Sequence, residues 1–197
     1  MRSKSWVSHL RPKKIPFRRR FARASVALIF RRMENAHEEL LFIQRARREG
    51  DPWSGDMAFP GGRLQPEDES ARAAAERETL EETGMDLCRH GRYVTRLSDL
   101  ITRHHSRLRP MVVTPYVFEW HGPKTILPNH EVERAVWVPL DYLAAGENQS
   151  RLPWRTPLGT LNMPCCRYQD ACIWGLSYSM LQELLTAGIN AKLKIPH

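Results

Sequence analysis

Two short apolar runs, Ser25-Val-Ala-Leu-Ile-Phe30 and Glu39-Leu-Leu-Phe-Ile-Gln44, stand on either side of the polar stretch Arg31 to Glu38, which is the spacing of two adjacent strands and their connection. The next segment, Arg45 to Asp56, is polar and contains Gly, Asp and Pro, and Met57 to Gly62 closes it, a pattern that predicts a loop feeding a tight turn. A helix follows. Ser70 stands as its N-cap, Ala71 to Thr83 are mostly strong helix formers, and Gly84 occupies the place of a left-handed C-terminal residue. Beyond it, Met111 to Thr114 and Tyr116 to Trp120 read as strand segments on either side of Pro115, and Arg134 to Leu140 as another. Gly146 to Tyr168, interrupted by Pro153, Pro157 and Pro164, reads as a long connection. A last helix is expected from about Ile173 to Ala187, with Trp174, Tyr178, Leu181 and Leu185 forming an apolar stripe turned to a core. Strands interleaved with helices predict an α/β protein, a mixed sheet covered by helices.

Composition narrows this picture. At 197 residues, with 42% hydrophobic and 26% charged positions, the chain fits one globular domain and excludes a coiled coil or wholesale disorder. No apolar run approaches the roughly 18 residues that a membrane-spanning helix needs. The net charge of +8 is concentrated: residues 1–24 hold nine Lys/Arg and no acid, whereas the remainder has 21 basic against 22 acidic residues. The expected organisation is therefore a basic extension over 1–24 and a single domain over 25–197. Such an extension attracts polyanions, nucleic acid among them, although a solvated tail is the plainer reading. It also resembles a mitochondrial transit peptide interrupted by Pro12 and Pro16, so the expected compartment is the cytoplasm, or the matrix if the leader is one. Cys88, Cys165, Cys166 and Cys172 lack metal-site or scaffold spacing and read as reduced, small buried side chains. Adjacent His104 and His105 would point to opposite faces of a strand, a poor metal pair.

The candidate chemistry lies in the first helix. Glu78, Glu81 and Glu82 are related as i, i+3 and i+4, so three carboxylates project from one side within about one turn. Each like-charged pair at that spacing costs about 0.2–0.5 kcal/mol, which calls for a cation to neutralise them. Mg²⁺ suits such a set, because it combines a few carboxylates with water and substrate phosphates. Gly61 and Gly62 allow the backbone to approach a metal and its substrate closely. Arg77 lies about 100° around the helix from Glu78 and could pair with Glu69 instead, pinning the loop to the helix.

Taken together, Gly61 to Met85 resembles a Nudix box, the signature of hydrolases that act on a nucleoside diphosphate linked to another moiety. The usual box has five residues between its Gly and its first Glu, but here six separate Gly62 from Glu69, so either the loop is longer or Asp68 shares the role of Glu69. Thr79 also stands where an apolar residue is usual. The resemblance implies the Nudix fold, an α/β/α sandwich around a mixed β-sheet, with Glu78, Glu81 and Glu82 binding Mg²⁺ or Mn²⁺.

Further segments are similar to coenzyme A pyrophosphatases of the same superfamily: Gly55 to Arg63, Asn129 to Val132, Trp137 to Leu140, and Ile173 to Tyr178. Those enzymes carry LLTxRSxxxRxxxGxxxFPGG. This chain keeps Leu40-Leu41, Arg45 and Gly55 to Gly62, but has Ala46 at the Ser position and Asp51 at the second Arg, with Arg47 and Arg48 nearby. The expected mechanism has Glu78 and Glu82 binding the cation with the Gly61 carbonyl, while Glu81 binds a second ion or takes a proton from water. Glu131 is the rival base, and Arg77 completes the catalytic set. The resemblance implies a nucleotide substrate, coenzyme A or its thioesters, cleaved to 3′,5′-ADP and 4′-phosphopantetheine and contacted by Arg45, Arg63, Phe59 and Gly62. Its 3′-phosphate could be held by Arg45, Arg47, Arg48, Arg63 or the basic extension. Trp53, Phe59 or Trp174 could stack on adenine, although the place of Trp174 on the apolar stripe favours core. The alternatives are a pyrophosphohydrolase for ADP-ribose, NADH or an oxidised nucleotide, and a non-catalytic nucleic-acid-binding regulator that uses residues 1–24. A homodimer is left open.

Overall fold

The computed structural model describes residues 10–34, 37–47, 54–103, 110–156 and 159–192. Expectations for Arg48, Asp51, Trp53, His104, His105 and Pro157 lie outside the described residues, as do those for residues 1–9 of the basic segment. The first apolar run becomes β1 (Ala22–Arg32) and the second β2 (Glu38–Arg45), paired antiparallel with Phe30 opposite Leu40. Arg23 of the basic segment therefore already lies in the sheet.

Both faces of these strands are covered, which is why their sequences run continuously apolar. On β1, Leu28 and Phe30 enter one core together with Phe42, Met180, Leu181 and Leu184, whereas Ala27 and Ile29 enter the other with Leu41, Ala75 and Leu87. The first core belongs to the last helix, α4 (Gly175–Lys192), and the second to α1 (Ala71–Thr83) and α2 (Leu87–His90). The result is the expected α/β/α arrangement. Its mixed sheet contains β3 (Met57–Ala58), β4 (Gly61–Arg63), β5 (Gly91–Arg96), β6 (Leu100–Arg103), β7 (Pro110–Trp120) and β8 (Val132–Pro139) beside β1 and β2. β1 runs parallel to β7 along Ala22 to Phe30, and on its other edge is antiparallel to β2 and β4. A short helix, α3 (Leu140–Ala144), follows β8.

Several elements depart from the sequence expectation. Gly61 and Gly62 form no free turn: they are ladder residues of β4, opposite Val26 and Ser25. The two segments around Pro115 are one strand, β7. Its partner changes there from β6, whose pairing reaches Val113, to β5, whose pairing begins at Tyr116, so the amide hydrogen that proline lacks falls in the gap. The supposed connection over 146–168 is a hairpin, β9 (Gln149–Thr156) and β10 (Gly159–Tyr168), whose prolines hid it. Ile173 and Trp174 close β11 (Ala171–Trp174) and are not the start of the last helix. Trp174 packs on Trp154 with ring centroids 4.6 Å apart. The four cysteines are free thiols; Cys165 and Cys166 are buried, Cys172 is half-buried, and Cys88 is exposed, contrary to its expected burial.

Candidate active site

Helix α1 is laid down by its own termini. Ser70 Oγ accepts the Ala73 N–H at 3.0 Å, and Gly84, at φ 71°, returns its N–H to Leu80 O. That fixes the rotation of the helix and sends Glu78 and Glu82 toward β4. Glu82 is only 5% exposed, and its Oε2 accepts the Gly61 N–H at 2.8 Å. Burial pushes the Glu82 carboxyl up to about 8; Gly61 and Arg45 pull it down, while Glu78 and Glu131 push it further up. Glu78 is also raised, first by burial and despite the Arg77 guanidinium at 3.0 Å, with Glu81 and Glu131 adding to the effect.

Gly61 is required by contact with backbone, and Gly62 by the position Glu78 takes. A Cβ on Gly61 would lie 2.2 Å from Ser25 O, at a φ of +150°, and one on Gly62 would lie 2.5 Å from the Glu78 carboxylate. The backbone of β4 therefore touches both acids, Gly62 by proximity and Gly61 through its N–H.

Arg77 resolves the loop question. Its Nε and Nη2 donate to Asp68 at 3.0 and 3.1 Å, and Nη2 also reaches the Arg63 carbonyl at 3.1 Å. Glu69, expected in that role, is exposed instead. Five residues lie between Gly62 and Asp68, so the usual spacing counted from the glycine, rather than back from Arg77, identifies the acid that ties loop to helix. Arg77 holds Asp68 below its ordinary value mainly through this hydrogen bond. Its Nη1 donates to both oxygens of Glu81, at 3.2 and 3.1 Å, leaving that side chain half exposed along the helix.

The remaining candidates divide. Glu131 sits in the turn before β8, its N–H donating to Asn129 Oδ1 at 2.8 Å, and it acts electrostatically on both Glu78 and Glu82. Its carbonyl accepts the Ala46 N–H, joining that turn to the end of β2 beside Arg45. Arg63 is exposed at the end of β4. Phe59 is 3% exposed and stacks on Phe42 at 4.6 Å, so its ring fills the core and is closed to an adenine, contrary to expectation. Sequence reading missed Ser25: it faces Gly62 across the β1/β4 ladder, on the α1 side by strand alternation, and its fully buried Oγ has no hydrogen-bond partner among the described residues. The lone hydroxyl within an apolar strand was the available signal.

The fold is an α/β sandwich whose sheet and first helix converge on an acidic cluster. The profile of the Nudix domain family matches residues 21–155, and the chain belongs to that family. Over 116 residues it is 39% identical to the uncharacterized protein C14C4.10c of Schizosaccharomyces pombe, a match covering 57% of this chain and 35% of that protein, so the chain aligns with about a third of that relative's length. Among solved structures it resembles the Nudix hydrolase RenU of M. smegmatis (TM-score 0.57, 16% identity, 88% of each chain). It also resembles the Nudix domain of Shewanella oneidensis NrtR complexed with ADP ribose (TM-score 0.53, 16% identity, 88% and 89% of the chains). A third likeness is to an Ap4A hydrolase of C. elegans (TM-score 0.52, 21% identity, 63% and 84%). No helix of the described residues is long and apolar enough to cross a membrane.

Nudix hydrolases generally use divalent metal ions, and the site can be tested for fit. Among the described residues no three His, Cys, Asp or Glu side chains are gathered into a closed metal cage. Mg²⁺ does not require one, because it keeps waters and is held by one or two carboxylates with substrate phosphate. Glu78 and Glu82, desolvated, raised and lodged against glycine backbone, supply such an oxygen-only pair.

Proposed function

We propose that the chain hydrolyses the pyrophosphate bond of a nucleoside diphosphate derivative, with coenzyme A or its thioesters as the substrate, giving 3′,5′-ADP and 4′-phosphopantetheine. The observation that carries the hydrolytic reading is the pairing of two carboxylates against β4: Glu82, 5% exposed, accepts the Gly61 N–H at 2.8 Å, and Glu78 lies against Gly62, an oxygen-only pair suited to a divalent cation. The coenzyme A assignment rests on the similarity of Gly55 to Gly62 and the flanking segments.

In this reading Glu78 and Glu82 hold Mg²⁺ or Mn²⁺. A cation held by these two carboxylates would supply Lewis-acid charge that makes water easier to deprotonate and offsets the repulsion of the anionic phosphates. Gly61 N–H orients Glu82, and Arg77 ties the end of β4, at the Arg63 carbonyl, and the following loop, at Asp68, to α1. Arg45 and Arg63 are the phosphate ligands. Glu131 takes the proton from water, because both oxygens of Glu81 are engaged by Arg77, whereas Glu131 acts electrostatically on both Glu78 and Glu82. Glu131→Gln is then expected to lower kcat about 10²-fold with Mn²⁺ affinity retained, and Glu81→Gln to lower it about tenfold or less. Titration of bound Mn²⁺ beside steady-state rates checks this, and the reverse ranking returns the base to Glu81.

Gly62→Ala is expected to displace the Glu78 carboxylate, whose atoms a Cβ would meet at 2.5 Å, and to lower kcat/KM about 10²-fold. Far-UV circular dichroism should remain that of the wild type. The substrate is tested with a panel of coenzyme A, its thioesters, ADP-ribose, NADH, Ap4A and nucleoside triphosphates, with products identified by mass. Turnover of ADP-ribose or Ap4A with coenzyme A untouched replaces the substrate and keeps the reaction; no turnover of any member with Mg²⁺ or Mn²⁺ removes the hydrolytic reading.

A further inference from the structure

From Leu10 onward the basic segment is built into the domain. Lys13 N–H donates to Ser98 Oγ, Asp99 N–H to the Lys13 carbonyl, and Ile15 N–H to Asp99 Oδ2, each at about 3 Å. Arg18 then forms an ion pair with Asp99 at 3.2 Å, and Leu10 packs against the core on the α4 side. A solvated tail would make none of these contacts.

Among its described residues, the anchored segment presents one strongly exposed aromatic ring among cations. Phe17 is 74% exposed, and its backbone, at φ 53° and ψ 23°, takes a left-handed conformation rare for a bulky residue. It caps a 3-10 turn over Arg18–Arg20, and the Arg20 guanidinium lies 5.3 Å from its ring centroid. Phe17 and the three arginines line a shallow recess, flanked by exposed Lys13 and Lys14. No acidic residue occurs anywhere in residues 1–33, and the acid that the turn does contact, Asp99, has a fully buried side chain. Arg18 is thus the anchor, and Arg19 and Arg20 are the outward charges.

We infer that Phe17, Arg19 and Arg20 form a binding surface for single-stranded nucleic acid, with the ring as a platform for one base and the guanidiniums on the adjoining phosphates. Base stacking on an aromatic side chain inside a cationic groove is the general chemistry of sequence-tolerant single-strand binding. An anionic membrane is the poorer match. Interfacial attachment needs an extended apolar face, and among the described residues of the segment a single exposed ring stands among lysines and arginines.

The test is fluorescence anisotropy of the whole chain with a labelled oligouridylate about 12 nucleotides long, over a range of salt, beside sedimentation with phosphatidylserine vesicles. The wild type should bind the oligonucleotide. Arg19→Ala with Arg20→Ala should flatten the slope of log K against log salt by about 1.4, the contribution of two phosphate contacts on a single strand. Phe17→Ala should weaken binding about fivefold to tenfold with the salt slope unchanged. All three positions are outside the acidic site, so the variants should hydrolyse small nucleotides as the wild type does. No binding by the wild type at about 50 mM salt, variants that bind like the wild type, or capture by vesicles alone overturns the proposal.

Discussion

Glu82→Gln is expected to lower kcat/KM by about 10³- to 10⁴-fold while leaving the unliganded fold intact or firmer at pH 8. The two halves of that outcome come from one cause. Glutamine matches the shape of Glu82 and keeps an oxygen to accept the Gly61 N–H at 2.8 Å, so packing against β4 survives. It cannot carry the negative charge that the proposed cation needs. In the wild type without metal, that charge is the difficulty. The folded pKa of Glu82 is raised from 4.5 to about 8. A raised carboxyl contributes stability that is fully present below the unfolded pKa and is lost as pH climbs to the folded one. Metal-free stability should therefore fall by about 1.4 kcal/mol per pH unit between about pH 4.5 and 8. Saturating Mn²⁺ should remove the decline, because a cation that binds only the folded anion stabilises it by mass action. In Glu82→Gln this contribution to the slope and the response to Mn²⁺ should both disappear. Thermal melts at half-unit pH steps, with and without Mn²⁺, read this directly. A wild type whose stability between pH 5 and 8 ignores Mn²⁺, or a glutamine variant of full activity, would sink the assignment of Glu82 as a ligand.

The same helix shows how far the sequence could be read. Ser70, Gly84 and the residues between them state their structure locally, through a cap, helix-forming side chains and a left-handed terminus, so α1 and the direction of its acids were legible. What needed coordinates was everything decided across the chain. Asp68 and Glu69 are both acids at almost the same sequence distance from Arg77, and only the path of the loop selects Asp68. Phe59 is an aromatic beside two glycines in sequence, yet the β2/β3 pairing places it on Phe42. Prolines misled for a related reason. Pro115 lies where one strand partner replaces another, and Pro153 lies on β9 at the edge of the smaller sheet, both places where a missing N–H costs little, although the same residues in isolation signal breaks. The stretch from Leu87 to Arg103 carries no clear period, because β5 and β6 are short and partly exposed. Asp99 was invisible for that reason.

Asp99→Asn is expected to destabilise the fold by about 3–5 kcal/mol, the typical consequence of removing one partner from a buried charge network. The Asp99 side chain has no exposed surface and gathers four donors: Thr114 Oγ at 2.8 Å, Arg96 Nη2 and the Ile15 N–H at 3.0 Å, and Arg18 Nη1 at 3.2 Å. Burial alone would raise its carboxyl, but Thr114, the Ile15 amide and the two guanidiniums together hold it below its ordinary value. An asparagine presents an NH₂ where one oxygen now accepts, turning a donor toward a donor, and leaves two guanidiniums without their counter-charge. For a domain of this size the loss corresponds to a fall in Tm of about 10 °C. The pH dependence supplies the sign. A depressed carboxyl contributes stability above its unfolded pKa of 3.8 and loses it as pH falls through the folded value. The gap between wild type and variant should therefore be full at pH 7 and close below about pH 4. Because Lys13 and Ile15 are tied to Ser98 and Asp99, the variant should also expose the chain around Lys13 and Lys14 to trypsin before global unfolding. Arg18→Gln separates the two consequences. It removes the strap's ion pair but leaves Arg96, Thr114 and the Ile15 amide on the carboxylate, so tryptic release of the segment should appear with a much smaller loss of Tm. An Asp99→Asn protein melting within about 2 °C of wild type at pH 7 would mean that solvent, and not this carboxylate, satisfies the donors around it.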